Sequence, residues 1–242
     1  MQLRRLCRRA RHVYQCVVGR AIRVPVAKGI RTERYGSEYG GWTICPEIMD
    51  NRTVVYSIGV GEDLSFDSSL VASFGLTVHA FDPTPRVIQW VAKQKLPSTI
   101  VFHSYGIADY DGTADFFPPD NPHHVSHSMV RSAGHAAIAV PVRRLTTIMS
   151  QLEHRHIDIL KMDVEGAEYS VIDDILKSNV SITQLLVEFH HEYVSIGISA
   201  TKSAIQKLRA SGYVAVAVSD NGGEYSFVHL GLLQQHRPPR RS

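Results

Sequence analysis

Carboxylate and imidazole side chains gather at two points late in the chain. Asp163 and Glu165 stand two residues apart just before Gly166, and Glu188 and His190 flank Phe189. Two carboxylates and an imidazole that converge can relay a proton from a hydroxyl, or hold a hard cation. Both sets end apolar runs, Ile157–Met162 and Ile182–Phe189, that read as strands. Period-two alternation puts Glu188 and His190 on one face, within reach of Asp163 or Glu165 on a neighbouring strand. Asp163, Glu165, Glu188 and His190 are therefore the catalytic candidates. Glu168 reads as a first-turn acid favoured by a helix dipole. His127 joins the candidates from a Pro/His/Ser-rich loop at 118–135, expected to act as a lid over an acceptor. Its histidines follow no ligand spacing, and no metal is assigned.

A second group of residues suits an adenosine-containing cofactor. Gly59 and Gly61 follow the β-branched run Thr53–Ile58, where glycine lets the backbone turn and approach a ligand closely. Asp82 ends the next strand, 23 residues after Gly59, where a carboxylate can accept both ribose hydroxyls. A dinucleotide site wants GxGxxG, but Leu64 stands at the third glycine position. Glu62 and Asp63, at the start of the following helix, would repel a pyrophosphate and attract a cation. That combination favours S-adenosylmethionine over NAD, FAD or ATP.

These residues need a scaffold that brings strand ends together. Helical and strand patterns alternate from residue 53: strands at Thr53–Ile58, Thr77–Phe81, Thr99–Ser104, Ile157–Met162, Ile182–Phe189 and Tyr213–Val218, with helices at Asp67–Phe74, Arg86–Lys95, Glu168–Ser178 and Thr201–Ala210. Such alternation predicts an α/β fold with a mostly parallel sheet, and Asn221-Gly222-Gly223 predicts an antiparallel closing hairpin to Tyr225–Leu230. Residues 105–143 break the rhythm, with a short strand near Ala114–Phe117. Tyr35, Tyr39 and Trp42 precede the sheet as a candidate floor for a sugar.

Charge is unevenly placed. Seven arginines and no acid occupy residues 1–23, and three more arginines lie in 235–242. Without those ends the chain carries 16 basic against 23 acidic residues, a body that repels nucleic acid. Leu3, Leu6, Ala10, Val13, Tyr14 and Val17 recur at helical spacing among the arginines, predicting a basic amphipathic helix suited to a peripheral contact with a membrane surface. The expected organisation is a basic segment 1–33, a catalytic domain 34–234 and a basic tail 235–242. Arginines interrupt the apolar residues of the first segment, so no secretory leader is expected. Three cysteines without CxxC spacing fit reduced thiols, and a cytoplasmic location follows, at most peripheral at the inner membrane surface.

With those motifs on the page, the chain resembles the FkbM family of methyltransferases. The matching stretches are RYGSEYGGW (34–42), VVYSIGVGEDLSFD (54–67), VHAFDPTPR (78–86), GIADYDG (106–112), HIDILKMDVEGAEYSVI (156–172) and LLVEFHHE (185–192). The resemblance implies a Rossmann-like class I methyltransferase fold using S-adenosylmethionine, usually on a hydroxyl oxygen of a carbohydrate or small metabolite. It implies that Gly59, Gly61 and Asp63 line the methionine side, with Ser57, Glu62 and Asp163 nearby. Either Glu62 or Asp63 meets the methionine amine. Asp82 and Pro83 would hold the ribose, and Gly106 and Ile107 would approach the adenine. Many family members have an acid at the position of Ser57 and a glycine at that of Asp63. Two other functions compete with this one: an NAD-type oxidoreductase, and a non-catalytic scaffold docking through its basic ends.

Overall fold

The structure is a computed structural model that describes residues 2–19, 21–117, 136–193 and 195–236. Helix α1 (Gln2–Val17) leads through an irregular segment into the antiparallel pair β1 (Glu33–Tyr35) and β2 (Trp42–Ile44). Next come β3 (Val55–Ile58), α2 (Ser65–Phe74), β4 (Val78–Phe81), α3 (Pro85–Val91) and β5 (Ile100–His103). Then follow the short strands β6 (Gly106–Ile107), β7 (Gly112–Phe116) and β8 (Ile138–Arg143). The chain continues with α4 (Leu145–Gln151), β9 (Ile157–Met162), α5 (Glu168–Lys177), β10 (Ile182–Glu188) and α6 (Ile198–Ala210). It closes with β11 (Tyr213–Val218), β12 (Glu224–His229) and α7 (Leu230–His236).

Seven strands form the main sheet in the order β11-β12-β10-β9-β3-β4-β5. Every pairing from β10 to β5 is parallel, and β12 alone runs against its neighbours β10 and β11. This is the expected Rossmann-like α/β architecture with its antiparallel hairpin strand. All of β3 and β9 is buried, because helices cover both faces of a parallel sheet. Tyr56, Ile58, Leu160 and Met162 pack on one side, and Val55, Val78, Ile159 and Leu186 on the other. The order reverses at β3, where one connection runs to β4 and the other to β9. Side chains beyond those two carboxyl ends thus face a natural crevice.

Several elements escaped the sequence reading. The expected short strand near Ala114–Phe117 is β7, and it joins β6 and β8, which were not expected, in a separate three-stranded sheet. The 118–135 segment, with His127, and the tail from 237 onward lie outside the described residues. β1, β2, β8, α4 and α7 are too short, or too polar at alternate positions, to show a clear period.

A buried amide fixes the segment ahead of the sheet. Gln184, on β10, accepts the Cys45 N–H at 2.7 Å and donates to the Cys45 carbonyl at 3.1 Å. This polar residue in an apolar strand clamps β2, and with it Trp42, over the sheet. Gln184→Leu removes both of these buried hydrogen bonds to the Cys45 backbone, at roughly 0.5–1.5 kcal/mol each. Chemical unfolding should show the variant destabilised by a few kcal/mol, with the same slope against denaturant.

Candidate active site

The crevice at the head of β3 and β9 is a cleft of about 400 Å³, in the range of small-ligand sites. Its lining includes Gly59, Gly61, Glu62, Asp63, Asp82, Pro83, Gly106, Ile107 and Asp163, and also Glu165 and Glu188. The structure therefore gathers nearly every residue singled out from sequence. Among the described candidates Ser57 and His190 are the exceptions. Ser57 shares the face of β3 that Val55 turns toward α2, is 1 % exposed, and lies outside the lining. Strand alternation carries its side chain away from the cleft.

The two glycines serve different needs. Gly59 has φ +71°, and a Cβ there would stand 1.7 Å from the carbonyl oxygen of Asp163. Its bareness lets the turns after β3 and β9 pass each other. Gly61 has φ +57°, but its Cβ direction opens onto empty space. Lys161, which sequence reasoning missed, ties the arrangement together. Its buried Nζ donates to the carbonyl oxygens of Ile58 at 3.2 Å and Gly59 at 2.5 Å. A lysine between Leu160 and Met162, in a strand expected to be buried, was the signal for it.

Asp82 is 5 % exposed and engaged on both oxygens. Oδ2 accepts the Gly61 N–H at 3.0 Å, while Oδ1 accepts the Thr84 N–H at 3.0 Å and the Thr84 hydroxyl at 2.6 Å. Three donors fix the carboxylate at the midpoint of the cleft and leave acceptor capacity for a ligand. On one side lie Pro83, Val87, Ile107 and Phe116, an apolar slot; Gly106 is held close to Pro83, 3.1 Å from where its Cβ would fall.

The other end is acidic. Glu62 is turned away to Arg86, with Nε and Oε1 2.7 Å apart, and that guanidinium lowers its pKa. Asp63 stays at the cleft. Burial opposes its ionisation, but hydrogen bonds from Ser65 and Ser37 outweigh it and hold the carboxyl below the usual range. Its Oδ1 accepts the Ser65 N–H at 2.7 Å, so this carboxylate sits where α2 begins. Glu188 faces Glu224 directly across β10 and β12. Burial pushes the pKa of both upward, as does the nearby charge of Asp163. Burial also raises Asp163, with Glu165 adding to it against Lys161 and His190, and its Oδ1 has no hydrogen-bond partner.

His190 lies behind this group rather than in the lining. Its Nδ1 donates to Glu168 Oε1 at 2.6 Å, and its Nε2 is 3.3 Å from Glu165 Oε2 and 3.7 Å from Asp163 Oδ1. Burial alone would lower its pKa, but the bond to Glu168 and the charges of Glu168, Glu165 and Asp163 push it up to about 10. His190 is thus an imidazolium at neutral pH. That corrects its expected place as a base, since the resting form has no lone pair to offer. Glu168 opens α5, as expected of a first-turn acid, and does more. It is fully buried, and besides His190 it accepts the Gly166 N–H at 3.1 Å with each oxygen. It positions the imidazolium instead of merely decorating a helix end. Glu165 adopts φ +49° and accepts the Tyr193 hydroxyl at 2.5 Å. Asp163, Glu165 and His190 offer ligand atoms within 4.8 Å of one another, a spacing that a hard cation could share once the imidazole is neutral.

Tyr39 and Trp42 line the cleft from the β1–β2 segment, whereas Tyr35 packs on Phe74 with ring centroids 5.4 Å apart. The predicted aromatic floor is thus reduced to two residues.

Comparison with known proteins fits this geometry. The profile of the Methyltransferase FkbM domain matches residues 44–215. The chain belongs to the FkbM methyltransferase family. Probable methyltransferase-like protein 24 of Homo sapiens is 25% identical over 174 residues, covering 68% of this chain and 42% of that protein. The Rattus norvegicus counterpart is 26% identical over 179 residues, with the same coverage. This FkbM chain therefore spans about two fifths of the length of these curated relatives. Among solved structures, a Methylobacillus flagellatus FkbM methyltransferase aligns with TM-score 0.46 and 14% identity, covering 74% of this chain and 44% of that one. Aeropyrum pernix fibrillarin, solved with natively bound S-adenosyl-L-methionine, aligns with TM-score 0.41 and 12% identity over 85% and 83% of the two chains.

Two predictions follow from the site. Gly59→Ala should leave little or no folded protein, because backbone blocks its Cβ, whereas Gly61→Ala should fold with a loss of roughly 1–2 kcal/mol for its left-handed backbone; thermal melts compare them. His190 is held charged by the fold, so its stabilisation is complete below its ordinary pKa and fades as pH rises through about 10. Melting temperature should fall between neutral pH and pH 10, and His190→Gln should flatten that slope.

Proposed function

We propose that this FkbM chain uses S-adenosylmethionine to methylate a hydroxyl oxygen of a carbohydrate or small hydroxylated metabolite. The observation that carries the reading is the cleft lining set against the strand order: Pro83, Gly106 and Ile107 on the β5 side, Asp82 just past β4, and Asp163, Glu188 and Glu224 at the ends of β9, β10 and β12. A purine, a ribose and a cationic amino-acid portion call for those three environments in that order. The residues also fit the cofactor in detail. The open direction above Gly61 leaves room for a ligand against the main chain. Asp63, whose oxygens accept from the uncharged Ser37 and Ser65, keeps acceptor capacity for the methionine amine, whereas Glu62 is bound to Arg86.

S-adenosylmethionine supplies, when bound, a methyl carbon on a sulfonium that leaves as a neutral thioether. Everything else falls to the chain. Tyr39 and Trp42 offer aromatic surface on which a sugar face can stack, and Glu188 and Asn221 offer polar contacts beside them. Asp163 takes the proton as the acceptor hydroxyl attacks. Its side chain borders the cleft, and its raised pKa makes it a stronger base than an ordinary carboxylate. The imidazolium of His190 keeps Asp163 and Glu165 in place and limits their repulsion. Methylation of oxygen in particular rests on this single base, the group that an alcohol nucleophile requires.

The observations count against the NAD-type alternative. A pyrophosphate would need the N–H groups at the start of α2, and Asp63 already occupies that position with its own carboxylate. The two cofactors separate in a thermal-shift assay. S-adenosylmethionine at about 100-fold excess over its Kd should add about 2.7 kcal/mol, and NADH nothing. Gly61→Ala should reduce the donor's effect.

Transfer from labelled donor to candidate glycans, with products identified by mass spectrometry, tests the reaction itself. Asp163→Asn should lower kcat by about 10²–10⁴-fold and remove the rise of activity with pH that a raised carboxyl gives the wild type. Retention of that rise in the variant would move the base elsewhere.

A further inference from the structure

Helix α1 turns its apolar side away from the protein. His12 and Cys16 face inward: a Cβ on Gly222 would fall 2.1 Å from the His12 ring, and Cys16 Sγ lies 3.6 Å from His12 Nε2. The irregular segment after the helix holds it in that pose, with the Ala21 N–H donating to the Gln15 carbonyl at 3.1 Å. On the opposite side Val13, Tyr14 and Val17 are 61%, 66% and 81% exposed, with Val18 at 44% beside them. Ala10 and Cys7, one and two turns earlier, are exposed as well. Single exposed apolar residues are ordinary, but a contiguous face of them on one helix marks a contact surface.

The charge of the helix selects its partner. The same helix carries arginines at positions 4, 5, 8, 9 and 11, and no acid occurs before Glu33. An apolar groove on another protein would satisfy the valines and the tyrosine but has no need of so many cations. A nucleic acid would satisfy the cations and leave the apolar face in water. A bilayer with anionic headgroups satisfies both, since an interfacial helix sinks its apolar side into the acyl boundary while its arginines reach the phosphates.

We infer that α1 is an in-plane anchor that docks this chain on an anionic membrane surface through Val13, Tyr14, Val17 and Val18. Gly222, on which His12 rests, belongs to the turn between β11 and β12. Asn221 and Glu224 of that turn and strand line the cleft. Docking through α1 therefore sets the mouth of the cleft beside the bilayer, and acceptors carried on lipids or lying close to headgroups become the ones it meets first.

Co-sedimentation of the full chain with vesicles tests this directly. The chain should pellet with phosphatidylcholine vesicles containing phosphatidylglycerol, and about tenfold or more weakly with phosphatidylcholine alone. Binding should weaken as salt rises. Val13→Glu combined with Val17→Glu should abolish pelleting while leaving the circular dichroism spectrum and the thermal midpoint unchanged, because both side chains are exposed. Replacing the arginines at 4, 5, 8 and 9 with glutamine should lower binding to anionic vesicles toward the neutral level. The inference is overturned if the chain stays in the supernatant with both vesicle types, or if the double glutamate variant pellets like wild type. It is also overturned if the same two substitutions instead dissolve a dimer seen by light scattering, which would make α1 a contact between copies. None of these outcomes depends on the methyl donor or on which acceptor the cleft takes.

Discussion

The head of this sheet depends on how closely two turns pass. The chain leaving β3 crosses the chain leaving β9 so tightly that the Asp163 carbonyl fills the place a side chain on residue 59 would need. Lys161, from the strand beneath, bonds the carbonyls on the crossing turn. Both the floor for a ligand and the direction of the Asp163 carboxylate follow from that crossing. Moving either turn would open the cleft and redirect that carboxylate. A lysine buried between Leu160 and Met162 is thereby explained: it satisfies backbone oxygens that the turn leaves facing the interior.

Electrostatics then decide what the cleft can hold. Asp63, Asp163, Glu165, Glu188 and Glu224 all border its acidic end, and cations that act on it are Lys161, His190 and, at Glu224, Arg34. Burial is the first cause that raises Asp163, Glu188 and Glu224, and the charge of neighbouring carboxylates adds to it against those cations. Glu168 makes the crowding tolerable by holding His190 charged behind the cluster, so that the imidazolium acts as a fixed counter-ion. A ligand bringing positive charge relieves the remainder; one bringing phosphate would aggravate it. The acceptor region draws its shape from a different source, the β1–β2 segment that Gln184 clamps down.

Much of this was legible before any coordinates. Residues 53–104 and 157–218 announced the sheet because central parallel strands must be apolar on both faces and helices between them must not be. The residues at the strand ends were legible for the same reason, since polar groups that close a buried strand have few places to go. What failed were the details set by tertiary partners. The family resemblance put Ser57 beside the cofactor, yet strand alternation hides it. Glu168 does stand in the first turn of its helix, but nothing local shows that His190, 22 residues later, folds onto it. Glu62 and Asp63 could not be told apart until Arg86, on α3, proved to hold the first. His190 was expected to be a base because an isolated imidazole is one near neutral pH; three carboxylates around it change that.

Calorimetric titration of S-adenosylmethionine into the wild type and into Asp82→Ala gives the central claim its most direct trial. Asp82 sits between the apolar slot and the carboxylate cluster, and a ribose lodged there would depend on it more than on any other side chain. The account predicts saturable binding by the wild type and a loss of affinity of at least about tenfold in the variant, in keeping with hydrogen bonds to a charged group at roughly 1.5–3 kcal/mol. Equal affinity in the two proteins, with the variant folded, would contradict it.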